Sequence, residues 1–350
     1  MSLRRIGAAD AIPQLAAFSC VVDARSESEF AEDRLPGAVN WPSLSDTERA
    51  AVGTTYIQVS PFEARKQGAV LVARNVANHV ERQVLALSRE WRPLVYCWRG
   101  GQRSGALATV LGQIGFSVSV LDGGYQAFRR AVIADLETLP APLRLQVVCG
   151  RTGSGKSRLL QALHDAGAQV LDLEALACHR GSVLGPLPGV PQPSQKGFET
   201  LLWQALRSFD PARPVFVEGE SRTIGRLRVP EALLLRLRAA PVLHIEMSLA
   251  ARVQLLIEDY AHFLHDAELL CERLSALKEL RGRATVERWQ ALARSGQFAT
   301  LVQELLTEHY DPVYLRSMQR HFAGFGSAET LPLADGDALT LAKAAQGLAA

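Results

Sequence analysis

The chain has 350 residues, enough for two or three domains each with its own core. With 38 Lys and Arg against 36 Asp and Glu, its formal charge of +2 gives no overall signature of a nucleic-acid binder, so any such surface is confined to a local patch. Five cysteines, with no C-x-x-C pair among them, argue against a disulfide framework or a zinc knuckle and for a reduced, cytoplasmic protein.

The first twenty residues are interrupted by Arg4, Arg5, Asp10 and Pro13, which speaks against a secretory leader. Val21-Val22-Asp23-Ala24-Arg25 reads as a short buried strand ending in charges, and Ser26 is placed to cap a helix after it. Leu35 to Asn40 reads as a turn and a second strand. Leu94-Val95-Tyr96 is a further strand that stops at Cys97, and Trp98-Arg99-Gly100-Gly101-Gln102-Arg103-Ser104 leads from it into a small-residue helix. A cysteine at a strand end, facing the amides of a helix N-terminus and flanked by Arg99 and Arg103, is expected to be a thiolate in an anion-collecting loop. The charge-free run from Ser104 to Leu121 is broken by Gly105, Gly112 and Gly115, and predicts a helix followed by a strand, not a membrane span.

Leu139-Pro140-Ala141-Pro142 punctuates the chain. Beyond it, Gly150-Arg151-Thr152-Gly153-Ser154-Gly155-Lys156-Ser157 fits G-x-x-x-x-G-K-[ST] in full, between an apolar strand and a helix. Its amides are expected to curl around a phosphate, with Lys156 reaching the distal oxygens and Ser157 available to Mg²⁺. Ala168 to Glu174 reads as a strand that brings Asp172 and Glu174 to the ligand edge of a parallel sheet. His179-Arg180-Gly181-Ser182 then introduces a proline-rich segment through Pro191, which suggests a lid or a long surface turn. Pro214 to Val217 is a third strand, whose end offers Glu218 and Glu220 where a phosphate-loop protein usually has Asp. That departure puts metal binding and nucleotide hydrolysis in doubt. With Pro241 to Glu246, alternating strands and helices imply a doubly wound α/β arrangement.

From Ser248 onward the pattern turns helical and strands disappear. Cations from Arg273 to Arg283, joined by Arg288, Trp289 and Arg294, predict either a basic aromatic face for RNA backbone or a solvated face with interspersed acids. Glu308 to Tyr314 is unusually polar and aromatic, as if reaching back to the active site. Residues after Leu333 read as a frayed helical tail.

Val22-Asp23-Ala24-Arg25, Pro36-Gly37-Ala38-Val39-Asn40, the Cys97 loop and Leu121-Asp122-Gly123-Gly124 resemble a rhodanese domain. Cys97 and Arg103 also satisfy the C-x-x-x-x-x-R spacing of cysteine-dependent phosphatases. Followed by the phosphate loop, Asp172-Leu173-Glu174, His179-Arg180-Gly181-Ser182 and His309-Tyr310-Asp311-Pro312, the chain resembles the tRNA 2-selenouridine synthase family over nearly its whole length. The resemblance implies an α/β chain of three parts: a rhodanese-like domain over residues 1–138, a parallel-sheet phosphate-loop domain over 139–247 and a helical region over 248–350.

The resemblance further implies exchange of sulfur for selenium in wobble 2-thiouridine in the anticodon region of tRNA. Selenophosphate and geranyl diphosphate would be the substrates, and a selenophosphate-supplying enzyme a possible partner. Cys97 would carry selenium as a perselenide or attack an S-geranylated intermediate, with Arg99, Gly100, Gly101 and Arg103 holding an anion. Gly150, Thr152, Gly153, Ser154, Gly155, Lys156 and Ser157 would hold phosphate, and Asp172, Glu174, His179, Arg180, Glu218 and Glu220 are candidates to contact substrate. The competing expectation is an ATPase or kinase with a rhodanese-like sulfurtransferase module.

Overall fold

The computed structural model of the protein describes residues 3–180, 185, 189–219 and 221–349. Gly181 and Ser182, most of the proline-rich stretch and Glu220 therefore lie outside the described residues. The chain forms two units. The first runs to Asp135 and also takes in Ser194–Gln204; the second comprises Leu136 to Pro193 and the chain from Ala205 onward.

The first unit is built on five short strands, β1 (Arg4–Ile6), β2 (Cys20–Asp23), β3 (Ala38–Asn40), β4 (Pro93–Tyr96) and β5 (Ser119–Leu121). They form an all-parallel sheet in the order β1-β5-β4-β2-β3. All four residues of β4 are buried, as befits the centre of a parallel sheet. The charge-free run divides as its glycines suggest, into a helix at Gln102–Ile114 and β5. A hairpin of helices, Asp46–Gln58 and Pro61–His79, stands between β3 and β4. Its first helix buries no residue, so its sequence lacks a clear apolar stripe. Its starts are nonetheless written in capping residues: Ser45 with Glu48 forms a capping box, and the Ser60 hydroxyl accepts from the Glu63 amide.

The second unit holds β6 (Arg144–Gly150), β7 (Gln169–Leu171), β8 (Pro214–Glu218), a two-stranded antiparallel ribbon of β9 (Thr223–Ile224) and β10 (Leu227–Arg228), β11 (Val242–Glu246) and β12 (Glu329–Pro332). Its main sheet is parallel, in the order β12-β11-β6-β8-β7. Three expectations are corrected here. The strand expected through Glu174 ends at Leu171, because the Asp172 carboxylate accepts the Ala175 amide at 2.7 Å and turns the chain into the helix Leu173–Ala177. Strands do not end before Ser248: β12 pairs along the edge of β11, and its four residues closed by Pro332 are too short and too exposed to show alternation. The tail is not frayed, since Leu341 and Ala345 of the helix Ala338–Ala349 are buried against Leu159, Leu160 and Leu163 behind the phosphate loop.

A second core in this unit gathers Phe263, Leu270, Leu274, Val286, Trp289 and Leu301. Trp289 is wholly buried and gives its indole N–H to Glu304, so it presents nothing to RNA. Arg283 pairs with Glu287, Arg288 with Glu304 and Glu308, and Arg294 with Glu268. Arg283, Arg288 and Arg294 of the expected basic aromatic face are thus answered by acids, and Arg281 donates to His309. Among the described residues no helix is long and apolar enough to cross a membrane.

Candidate functional site

Cys97 follows β4 directly and is 3% exposed. The buried Ser104 hydroxyl donates to its sulfur at 3.1 Å, and the Ser104 and Gly101 amides bond it as well. Burial, the largest single influence, favours the neutral thiol. The hydrogen bonds, led by the Ser104 hydroxyl, outweigh it together with the charge of Arg103, so the thiol lies below its ordinary range. The loop is also locked from below. The Tyr125 amide donates to the Cys97 carbonyl at 2.8 Å, and the Gln126 amide to the Trp98 carbonyl at 3.1 Å. A Cβ on Gly124 would stand 2.2 Å from that Cys97 carbonyl oxygen, so only glycine lets the two turns meet.

The arginines divide their roles. Arg99 is exposed on the loop. Arg103 donates to Glu29 at 2.7 Å, and Glu29 also accepts the Ser26 amide at 3.1 Å, so Arg103 is a strut between the loop helix and the helix Glu27–Glu32. Beside the site, Arg25 and Asp23 form a fully buried ion pair at 2.6 Å, and the Tyr96 hydroxyl donates to Asp23 at 2.7 Å. The Arg25 guanidinium lies 4.0 Å from the Tyr125 ring centre, and the Tyr125 hydroxyl donates to Asp33 at 2.8 Å. Asp23 and Arg25 therefore stiffen the strand end that carries Cys97.

In the second unit the phosphate loop follows β6. The Lys156 ammonium donates to the Gly150 carbonyl at 2.9 Å, and the Gly150 amide donates to the Tyr314 hydroxyl at 2.7 Å. Burial, followed by the neighbouring Cys149, pushes the Tyr314 phenol well above its ordinary range, so it stays protonated. The Ser154 hydroxyl is buried in the loop without a hydrogen-bond partner among the described residues. Arg252, 2% exposed, donates to the Thr152 carbonyl at 2.9 Å and grips Asp311 with two further bonds at 2.9 and 2.6 Å.

The acids expected around the loop have separate employments. Glu174 is the one beside Ser157, whose hydroxyl donates to it at 3.4 Å. Buried Glu218 accepts the Glu174 amide at 2.7 Å, and Asp172 is the helix cap already described. His179 is buried and held below its ordinary pKa by that burial. Arg180 donates to the Asp259 carbonyl at 3.0 Å and lies 4.7 Å from the Tyr260 ring centre, which ties it to the end of the helix Leu249–Asp259. Among the described residues no group of three or more His, Cys, Asp or Glu is placed to hold a metal ion. Sequence reasoning assigned no role to Ser104, Glu29, Arg252, Asp311 or Tyr314. The last two stand in the polar, aromatic segment already singled out, whereas Arg252 carries no local signal.

Residues 143–272 match the family model described as the tRNA 2-selenouridine synthase AAA domain, and residues 8–131 that of the Rhodanese-like domain. A tRNA 2-selenouridine synthase of Nitrosomonas europaea is 32% identical, covering 92% of this chain and 96% of its own. One of Alcanivorax borkumensis is 36% identical, covering 84% and 88%. Among solved structures, the N-terminal domain of a putative ATP/GTP binding protein from Clostridium difficile 630 overlaps 38% of this chain and 99% of its own, at 32% identity and a TM-score of 0.32.

Proposed function

Because this chain belongs to the tRNA 2-selenouridine synthase family, a family of tRNA-modifying enzymes, we propose that it exchanges the sulfur of a wobble 2-thiouridine for selenium from selenophosphate. The exchange passes through an S-geranylated intermediate made from geranyl diphosphate. The observation that carries this reading is the activated thiol: a cysteine held toward its thiolate by a hydroxyl and two amides is a group-transfer nucleophile, for which nucleotide hydrolysis has no use.

In the first step the thiouridine sulfur attacks the first carbon of geranyl diphosphate, the carbon–oxygen bond breaks and diphosphate leaves. Lys156 and the loop amides are suited to take up the charge on that leaving group. In the second, the Cys97 thiolate adds at C2 of the base and geranyl thiolate departs. The selenium of selenophosphate then displaces Cys97, and hydrolysis of the phosphorus–selenium bond releases phosphate. This course is redox-neutral, whereas forming a perselenide on Cys97 from selenophosphate requires an oxidant. Ser157 and Glu174 are the residues that would hold Mg²⁺ against the diphosphate.

The test is mass spectrometry of nucleosides from 2-thiouridine tRNA incubated with each donor alone and with both. Geranylated thiouridine is expected with geranyl diphosphate, and selenouridine once selenophosphate is added. Cys97→Ser is expected to keep the first product and lose the second. Undiminished selenation in that variant overturns the role of Cys97. The closeness of Ser157 and Glu174 favours a second reading, Mg²⁺-dependent ATP turnover. Unchanged tRNA, with ATP consumption abolished in Lys156→Ala, would establish it instead.

A further inference from the structure

We infer that Trp98 is the platform on which the base of the target nucleotide stacks beside Cys97, and that Arg99 and Arg130 hold the phosphates flanking it. This names the nucleotide-binding part of the thiol site, and it rests on the reading of that site as acting on tRNA.

Of the five tryptophans in the chain, Trp41, Trp91, Trp203 and Trp289 are buried, and Trp98 alone is left partly exposed. It stands immediately after the thiol, and the fold fixes it there. Its carbonyl accepts the Gln126 amide at 3.1 Å, and its ring packs on that of Tyr125, with centres 5.4 Å apart and planes 31° from parallel. Tyr125 in turn is buried, and is held by its bond to Asp33 and by the Arg25 guanidinium. One indole face thus rests on a rigid support, and the exposure left to the ring belongs to the rest of it. A π-face held open beside a nucleophile suits a base, because stacking needs no particular hydrogen-bonding edge. The thiol itself is almost wholly enclosed, so C2 of a uridine reaches it only when the base has left its neighbours in the RNA. Trp98 then replaces the neighbour that the base has lost.

The charges around the ring fit the backbone of the same strand. Arg99 and Arg130 are exposed, and among the described residues neither has an ion-pair partner. Arg130 reaches the loop from the following helix: a Cβ on Gly123 would meet its guanidinium at 3.6 Å, and a Cβ on Gly100 would meet the Gly123 amide at 3.2 Å. The neighbouring acids are already taken up, Glu29 by Arg103 and Asp122 by Arg5, so the surface beside the ring is left positive.

Binding of a 2-thiouridine anticodon stem-loop RNA to the full chain, read by the anisotropy of a labelled RNA and by tryptophan fluorescence, tests this. Trp98→Ala is expected to weaken binding about fivefold or more, Trp98→Phe to recover most of the loss, and both to keep the parent's dependence on salt. Arg99→Gln and Arg130→Gln are each expected to lower the slope of log affinity against log salt by about 0.7. The RNA is expected to quench the parent's fluorescence and not that of Trp98→Phe, a signature that lost packing on Tyr125 would not produce. Trp98→Leu, which keeps an apolar cover on Tyr125, serves if thermal melting shows that Trp98→Ala is misfolded, and is expected to bind as weakly. Alanine and leucine variants that bind within about twofold of the parent, or equal quenching in the parent and Trp98→Phe, overturn the platform. So does a loss confined to S-geranylated RNA, which would make the prenyl group the partner of the ring. A parent chain that neither binds nor modifies the RNA removes the underlying reading, and the platform with it.

Discussion

At Cys97 the acidity comes chiefly from neutral hydrogen-bond donors, and only afterwards from a cation. Ser104→Ala deletes the foremost of these while leaving Arg103 and the amides in place. Loss of a hydrogen bond to a charged group is worth about 1.5–3 kcal/mol, so the midpoint of iodoacetamide reactivity against pH is expected to rise by about one pH unit or more. An unmoved midpoint would return the effect to the charge of Arg103. Cys97 and Lys156 were legible from sequence because their roles rest on fixed local spacing. Arg103 was legible only as a charge near a thiol: its partner Glu29 lies 74 positions away, and pairing at that range is decided by packing. Ser104 was visible as a residue of the loop, but its direction was not, since a hydroxyl acquires meaning only from what it points at.

The elements of the two sheets follow the same division. Apolar runs such as Leu94-Val95-Tyr96 and Leu145-Gln146-Val147-Val148 announce buried parallel strands, because both their faces are covered. The helices Asp46–Gln58 and Pro61–His79, largely exposed, and the edge strand β12 have no such signature. The helix Asp311–His321 is a further case: sequence singled out its first residues, and its work is to hold the phosphate loop through Asp311 and Tyr314. Asp311→Asn removes the charge that answers buried Arg252, and breaking such a pair costs about 3–5 kcal/mol. Urea denaturation is expected to show a loss of that size for the second unit, with weaker binding of inorganic diphosphate by the folded variant. A double-mutant cycle with Arg252→Ala should give a coupling of about 1 kcal/mol or more, and additive losses would deny the pair its role.

For the molecule as a whole, the division near the Leu139-Pro140 punctuation is incomplete, because the start of the helix Gln195–Ser208 belongs with the first unit. Thr200 donates to buried Asp33 at 3.1 Å, Glu199 pairs with Arg129, and Trp203 packs edge-on against Phe128. No local pattern in the sequence announces this: an amphipathic helix shows that it has an apolar face, but not which core receives it. A chain ending at residue 138 would leave Asp33 short of a donor and the Phe128 surface bare. Such a truncated protein is expected to melt well below the first unit of the full chain and to aggregate more readily. A melting temperature equal to that of the full chain would mean that the segment is dispensable.

The same arrangement sets a timetable. Ser194 is synthesised about 60 residues after Asp135, a delay of roughly 3–12 s at ~5–20 residues per second. Within that interval the phosphate-loop strand, Arg144–Gly150, is made while the cysteine-bearing unit still waits for Ser194–Gln204. The newborn chain therefore cannot finish its first unit before part of its second exists, and residues 1–135 must keep the surface for Ser194–Gln204 open until that segment arrives.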